Sequence, residues 1–512
     1  MVQKAQLSRV LPLNHAMCLK FISGESFVFA MFMRWICFLA ITTSCNCLAA
    51  SAAASTEATD MPQTFLRDVI KPAYTLPDAI EIAAENYPAI KAAHERALAA
   101  KGETSLAKTA YLPQLNFIIQ ETRATLNNVP TVIFPQTIIP IITHTEAAGT
   151  RFRGFWLNNE GSLFTWEPFD FGLRKANVKT AEAEFAEATA HTQLTKFDAC
   201  LTAGDAFLIA AAAKETVRAY EAKLKRMQTF AMAVHALVDA GLRPGVDASR
   251  ADAEVALSKN ELIEAQKFFE LSLIRVAERL GLQTMQVKIR TNELTHSVPA
   301  QSVFTVPDFD KHPLVILSND AINTTTSRIH ALDRTWVPRF HIMNTFSGRG
   351  GNVKGFGPIN GGGIIPQIAN YAVGVAVTFD AFNYFEVKAK RRIEVHNAQA
   401  ERADLDQSLL TLRAREASAR VTVEKAREIA DNTPLFVKAA QETEMRSRER
   451  YKVGLNTIVD VAEAEELLAK AEVENAVAQV GVWRGELELA GAQGDLRPFI
   501  DLVTRAEVIN KG

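Results

Sequence analysis

The most informative segment of the sequence is RYKVGLNTIVDVAEAE, at residues 450–465. Gly454 interrupts a long run of helix-forming residues and a second helical pattern follows it, so the chain is expected to reverse direction here. The same reversal occurs earlier in the chain. Gly241-Leu242 followed by Asp247 recurs as Gly454-Leu455 followed by Asp460, at an offset of 213 residues. A helix reversal that occurs twice in this form indicates an internal duplication.

Three further landmarks recur in the same order. They are a proline pair 25 residues apart (Pro88 and Pro113, then Pro313 and Pro338), the dipeptide Phe-Asp (169–170, then 379–380) and a glycine at the 213-residue offset (Gly281, then Gly494). The two repeats differ in length only in the intervals between landmarks, where insertions cost least. The predicted repeats span 55–282 and 312–495, with a linker at 283–311 and a C-terminal tail at 496–512.

A β-hairpin is predicted in each repeat after the second proline. Leu115, Phe117 and Ile119 alternate with polar residues, which is typical of a half-buried strand. A glycine- and proline-rich stretch follows, and a second extended segment ends at the Phe-Asp dipeptide. The hairpins are therefore predicted at about 115–169 and about 340–379.

Long helices with coiled-coil periodicity follow the hairpins. Apolar residues recur at spacings of 3, 4 and 3, as at Val178, Ala181, Phe185 and Ala188. Long helices are predicted at about 171–240 and 381–453, and return helices at about 247–281 and 457–494. At 1.5 Å per residue each long helix measures about 105 Å, so a return helix and the short helix before the hairpin together run alongside it. Pro434 is expected to kink or interrupt the second long helix.

The first 54 residues are predicted to be a processing segment. Arg34 precedes a short apolar core, and Ala50-Ser51-Ala52 is a small-residue cleavage site, which together are typical of a secretory signal peptide. Residues 1–32 precede this pattern, so Met33 is a candidate start codon. A lipid anchor on Cys45 or Cys47 is the alternative. Cys200 then remains, as a small buried hydrophobic residue.

Composition and spacing argue against several classes of function. The chain has 512 residues and a net charge of −2, which provides no electrostatic reason to expect a nucleic-acid partner. The histidines are scattered, so no helical metal pair is predicted. The glycine-rich stretch at 348–363 lacks a GK[ST] sequence and is interpreted as a hairpin loop rather than a phosphate-binding loop. With no nucleophile–base pair either, we predict no enzyme activity, no cofactor and no metal.

The four predicted strands imply an oligomer if the hairpins enter an outer membrane. Four strands cannot close a barrel, and open sheet edges are not tolerated in lipid. Two copies would provide eight strands around a filled interior, whereas three would provide twelve strands around a lumen. A soluble sheet packed on a helical rod is the alternative.

The chain resembles the TolC-type outer-membrane efflux protein family. The resemblance rests on the segment from Thr75 to Phe117, on PFDFGLRKA at 168–176 and on RYKVGLNTIVDVAEAE, and it covers about residues 74–495. It implies a homotrimer whose twelve strands form a β-barrel in the outer membrane, continuous with a twelve-helix α-barrel that crosses the periplasm. It also implies a periplasmic adaptor protein at the distal end and, beyond it, an inner-membrane pump or ABC exporter.

Asp460 and Glu463 are the candidate channel constriction. They lie three residues apart in the first turns of a helix, so both point to one face. Acidic side chains at this end of a helix also interact favourably with the helix dipole. In the family, acidic rings at these positions line the periplasmic entrance. Two unit charges about 8 Å apart repel by roughly 2 kcal/mol at an effective dielectric near 20. Six such carboxylates are therefore expected to have raised, coupled pKa values and to attract cations.

The resemblance implies two further sets of site residues. Tyr451 and Asp247 match residues that hold the entrance closed. The helix tips match the segments that the adaptor contacts: Val453, Gly454 and Leu455, with Ala240, Gly241 and Leu242 in the first repeat. Asn456 departs from a family pattern with arginine at this position, so one salt link of the closed state is not expected.

The sequence thus predicts a trimeric outer-membrane channel of a tripartite efflux or type I secretion system. Adaptor engagement is expected to open its acidic entrance. The alternative is a non-channel periplasmic structural protein built of coiled coils. The residues do not indicate which substrate is exported.

Overall fold

The computed structural model describes residues 72–125, 154–291, 294, 298–299, 307–351 and 365–509. The predicted signal segment and both hairpin tips lie outside these ranges. The described helices are α1 (Leu76–Asn86), α2 (Pro88–Thr109), α3 (Leu173–Asp239), α4 (Gly245–Arg279), α5 (Pro313–Leu332), α6 (Asn383–Lys452), α7 (Ile458–Gln493) and α8 (Arg497–Ile509). The strands are β1 (Gln114–Thr125), β2 (Gly154–Phe169), β3 (Arg339–Gly351) and β4 (Ile368–Thr378).

The predicted fold class, mainly helical with four strands, is confirmed. The long helices α3 and α6 have 67 and 70 residues, and the return helices α4 and α7 have 35 and 36. Each return helix packs along its long helix. The short helix α2 packs along α3, and α5 packs along both α3 and α6. No helix in the described part of the chain carries an apolar run long enough to cross a membrane.

The four strands form one antiparallel sheet in the order β1-β2-β3-β4. The β1–β2 register runs from Gln114 opposite Thr165 to Thr125 opposite Gly154, with an irregularity in β2 between Trp166 and Phe169 where it pairs with β3. Within the part of the chain that the structure describes, β1 and β4 each have one neighbouring strand, so the described sheet has two open edges.

One face of this sheet is apolar and exposed. Residues directly opposite each other in an antiparallel pair share a face, so the register places Phe117, Ser162, Phe346 and Tyr371 in one row. On the same face of the two edge strands, large apolar side chains are more than half exposed: Leu115, Phe117, Ile119, Tyr371, Val373, Val375 and Val377. The strands contact chiefly each other, and no described helix covers this face.

The largest buried core lies where the short helices meet the long ones. Phe207 of α3 and Trp483 and Leu487 of α7 are almost completely buried there. The predicted C-terminal tail contributes to it, because α8 buries Phe499 against Trp483 with ring centroids 6.5 Å apart. Cys200 is buried in the same cluster, as predicted.

Of the two effects expected of Pro434, an interruption of the second long helix does not occur, because α6 continues through it, and a kink stays a prediction. Proline has no N–H to donate to the carbonyl four residues earlier, which here is that of Ala430. The Thr433 hydroxyl lies 3.3 Å from that oxygen and also 3.0 Å from Asn475 Oδ1 on α7. A neighbouring side chain thus partly replaces the missing backbone hydrogen bond.

Two glycines in the left-handed region allow a matched stability test. Gly241 has φ +72° and open space where a Cβ would lie, whereas Gly281 has φ +67° and a Cβ would lie 2.9 Å from the Asn86 carbonyl oxygen. We expect Gly241→Ala to lower the free energy of unfolding by about 1–2 kcal/mol through backbone strain. Gly281→Ala is expected to cost about 1–3 kcal/mol more because of overpacking. Chemical denaturation measures both, and equal losses would contradict the close approach.

Candidate functional site

The two helix reversals have the same backbone geometry and lie next to each other. Gly241 and Gly454 adopt left-handed φ values of +72° and +82°. In each turn the following leucine N–H bonds back to a carbonyl five residues earlier: Leu242 to Leu237 at 2.9 Å and Leu455 to Arg450 at 2.9 Å. This pattern satisfies the last carbonyls of a helix and suits glycine, which has no Cβ.

The residues that the resemblance matches to an adaptor surface lie in these turns, and all are exposed. Ala240 caps the end of α3, and Val453 caps the end of α6. Leu242 and Leu455 are 70% and 68% exposed. The turns therefore present two leucines to solvent, one from each reversal.

Tyr451 and Asp247 meet, although 204 positions separate them in the sequence. The Tyr451 hydroxyl donates a hydrogen bond of 3.0 Å to Asp247 Oδ2. The ring is buried, and Phe230 contacts it edge-on at 5.2 Å. Burial, together with the hydrogen bond to the Asp247 carboxylate, raises the pKa of Tyr451 to about 12. The tyrosine thus stays protonated at neutral pH, as a donor that joins α6 to α4.

Arg243 is a member of this contact that sequence reasoning missed. Its guanidinium lies 4.3 Å from the centre of the Tyr451 ring and donates to the Tyr451 backbone carbonyl. A guanidinium over an aromatic face is attracted to it. The only sequence signal was a basic residue directly after the Gly-Leu turn. Asn456 accepts a 2.9 Å hydrogen bond from Arg450 Nε, so at this position the chain has a local polar contact.

Asp460 takes part in a capping box at the start of α7. Thr457 is the N-cap and accepts from the Asp460 N–H, while the Asp460 carboxylate accepts from the Thr457 N–H and hydroxyl at 2.7 Å. These bonds, first that of the hydroxyl, hold the pKa of Asp460 below its ordinary value. Glu463 is exposed one turn later. The raised pKa values expected of a six-carboxylate ring require three copies and stay a prediction.

The sequence profile of the outer membrane efflux proteins matches residues 79–282 and 322–494. This chain belongs to the outer membrane efflux protein family. The matched segments lie one in each predicted repeat of the efflux protein. None of the curated protein sequences matches it.

Solved structures resemble the efflux protein along nearly its whole described length. VceC, an outer membrane protein of Vibrio cholerae, is 17% identical with a TM-score of 0.64, covering 82% of this chain and 96% of its own. The CmeC outer membrane channel of Campylobacter jejuni is 14% identical with a TM-score of 0.65, covering 85% and 93%. The open state of the MtrE outer membrane channel of Neisseria gonorrhoeae is 16% identical with a TM-score of 0.63, covering 85% and 96%. The efflux protein shares their fold.

Proposed function

We propose that the protein is the outer-membrane channel of a tripartite efflux or type I secretion system and works as a homotrimer. The observation that carries the proposal is the sheet whose apolar face is exposed between two open edges. Family membership supports it independently. The protein then provides a passive conduit through the periplasm and outer membrane, and carries out no chemistry of its own.

The sheet has the properties that a barrel segment needs. In a water-soluble sheet the apolar face packs on a core. In a membrane barrel the apolar face of the sheet contacts lipid and the polar face lines the lumen. The opposite face here carries Gln114, Asn116 and Asn370. The strands have 12, 16, 13 and 11 residues, and about 9–11 tilted residues span a bilayer.

The strand order favours closure by identical copies. Four alternating strands leave β1 and β4 antiparallel to each other, so β4 of one copy can pair with β1 of the next and remove both open edges. Two copies provide eight strands, and side chains then fill the interior of the barrel. Three copies provide twelve strands and a lumen.

We assign the entrance to the opposite end of the long helices, at the two reversals. Leu242 and Leu455 form part of the surface that a periplasmic adaptor engages, and the Tyr451–Asp247 bond holds the tips together before engagement. An inner-membrane pump or ABC exporter completes the assembly. Asp460 and Glu463 of three copies then line the mouth through which the substrate enters.

Divalent-cation block in planar bilayers tests this assignment. We expect cation-selective currents that divalent cations added on the periplasmic side block. The double variant Asp460→Ala/Glu463→Ala is expected to weaken that block at least about tenfold, because neighbouring carboxylates are what attract the cation. Thr457→Ala is the matched control, since it removes the cap of α7 and keeps both carboxylates. It should retain the block.

The outcomes separate the two parts of the proposal. Currents whose block is the same in wild type and the double variant would leave the channel standing and place the constriction elsewhere. A folded assembly that never inserts into the bilayer would contradict the channel itself.

A further inference from the structure

A buried cluster of charged side chains lies behind the helix tips, apart from the Tyr451–Asp247 contact. Its centre is Glu465 of α7, whose side chain is completely buried. Arg226 Nε of α3 lies 2.8 Å from one carboxylate oxygen, and Arg448 Nη2 of α6 lies 2.5 Å from the other. Arg226 also contacts Glu472 at 3.2 Å. The cluster therefore joins α3 to both helices of the second repeat's coil.

A second carboxyl group completes the cluster. Glu444 of α6 is buried one turn before Arg448 and contacts the same guanidinium that contacts Glu465. Alongside it, Lys223 of α3 contacts Glu466 of α7 and lies 2.6 Å from Glu261 of α4. We call Arg226, Glu444, Arg448, Glu465 and Glu472 the inter-coil cluster.

The charge balance of the inter-coil cluster depends on one proton. With Glu444 protonated, the guanidinium groups of Arg226 and Arg448 face the carboxylates of Glu465 and Glu472, and the charges cancel. With Glu444 ionised, three carboxylates face two guanidinium groups, and Glu444 repels Glu465 at short range. A buried charge without a compensating partner is costly.

The groups around Glu444 raise its pKa, so that the carboxyl group gains or loses its proton near neutral pH. Burial, then the hydrogen bond and charge of Glu465, raise the pKa of Glu444 to about 7 despite the opposing arginines. Burial alone would lower the pKa of Arg226, but its bonds to Glu465 and Glu472 raise it, so the guanidinium stays charged.

We propose that the inter-coil cluster is a proton-dependent latch that holds the first coil (α3 and α4) against the second (α6 and α7) and favours the closed entrance when Glu444 is protonated. The inference rests on the proposed function and adds that the two coils separate as the entrance opens. α3 also covers this region with Met227 and Phe230, which pack on Tyr451 and Val461. Withdrawal of α3 exposes the cluster to water.

The direction of the pH effect follows from this exposure. In the open form Glu444 is hydrated, and its pKa returns towards the ordinary value of 4.5. The closed form therefore binds the proton more tightly. The stability that this proton adds to the closed form relative to the open form is lost as pH rises through about 7. At pH 5.5 the closed form is about 30 to 1 protonated while the open form is mostly ionised, so acidification from pH 8.5 shifts the equilibrium roughly 30-fold towards closed.

The distance between the coils, measured by pulsed electron paramagnetic resonance on the purified full assembly, tests the latch. Nitroxide labels are placed on exposed residues of the two coils, through Ser249→Cys on α4 and Lys470→Cys on α7, with Cys200→Ala to remove the thiol that is predicted to remain in the mature chain. In the wild-type background the population with separated coils is expected to rise steeply between pH 5.5 and 8.5.

Two variants separate the latch from a general effect of pH. Glu444→Gln mimics the protonated side chain and is expected to keep the short distance at every pH. Glu442→Gln, an equal change at an exposed position on the same helix, should retain the wild-type pH profile. Arg226→Gln removes the ion pairs of α3 with Glu465 and Glu472 and is expected to favour the separated population even at pH 5.5.

The results distinguish failure of the latch from failure of the channel. Distances that do not change with pH in the wild-type background, or that change equally in Glu444→Gln, would overturn the latch whether or not the protein conducts. A pH-dependent distance that is lost in Glu444→Gln supports the latch, even for a protein that forms no channel in planar bilayers.

Discussion

Tyr451→Phe combined with Asp247→Ala is expected to increase the mean conductance of the purified protein in planar bilayers several-fold or more. The pair removes the hydrogen bond between α6 and α4. A hydrogen bond to a charged group contributes about 1.5–3 kcal/mol. Its loss therefore shifts the closed-to-open equilibrium of each chain roughly ten- to a hundredfold, since about 1.4 kcal/mol corresponds to a factor of ten.

The matched control is Tyr87→Phe, which removes a tyrosine hydroxyl from another inter-helix contact. That hydroxyl accepts a hydrogen bond from Arg279 at 3.4 Å, at the end of α4 opposite to Asp247. Its loss should leave conductance unchanged. An increase of equal size in both variants would mean that the tips open through general loosening. No increase in the double variant would contradict the role assigned to this bond.

Val373→Arg is expected to abolish recovery of the protein from the outer membrane. Val373 lies at the middle of β4 on the apolar face, 65% exposed. An arginine on the lipid face at the bilayer midplane costs about 2–4 kcal/mol, and a trimer would carry three. The measurement is the fraction of protein found in outer membranes as a trimer whose mobility in detergent gels changes on heating.

Ala372→Arg controls for both charge and depth. The two residues are adjacent in the strand, so they lie at nearly the same height and on opposite faces. On the lumen side an arginine remains hydrated, and we expect most of the protein to assemble normally. Equal loss in both variants would show that β4 tolerates no bulk, and normal assembly of Val373→Arg would show that this face does not contact lipid.

Periodicity was sufficient to predict the fold class, mainly helical with four strands. Leu115, Phe117 and Ile119 alternate as a strand, and the structure places them on one face of the sheet. The glycines at 241 and 454 are the turns at which the long helices reverse. Such features depend on residues close together in the sequence, which is why a single sequence reveals them. Alternation alone, however, did not show whether the apolar face of the sheet is covered.

The features that sequence reasoning missed depend on side chains brought together from distant positions. Arg226 and Glu465 are 239 positions apart, and each alone looks like an ordinary charged residue on a solvated helix face. The proximity of Tyr451 and Asp247 came from the family resemblance, because spacing alone does not imply it. Thr433 beside Pro434 is a similar case: the proline predicted a break, and the compensating hydroxyl became clear only in the structure.

Cryo-electron microscopy of the assembly extracted from outer membranes is the most direct test of the central claim. We expect three copies and twelve strands, with β4 of one copy paired with β1 of the next and with Leu115, Phe117 and Ile119 facing detergent. The helix reversals should then surround a narrow entrance at the far end. A particle recovered without detergent from the periplasm, with the sheet edges unpaired or the apolar face packed against protein, would contradict the account and favour a structural coiled-coil protein.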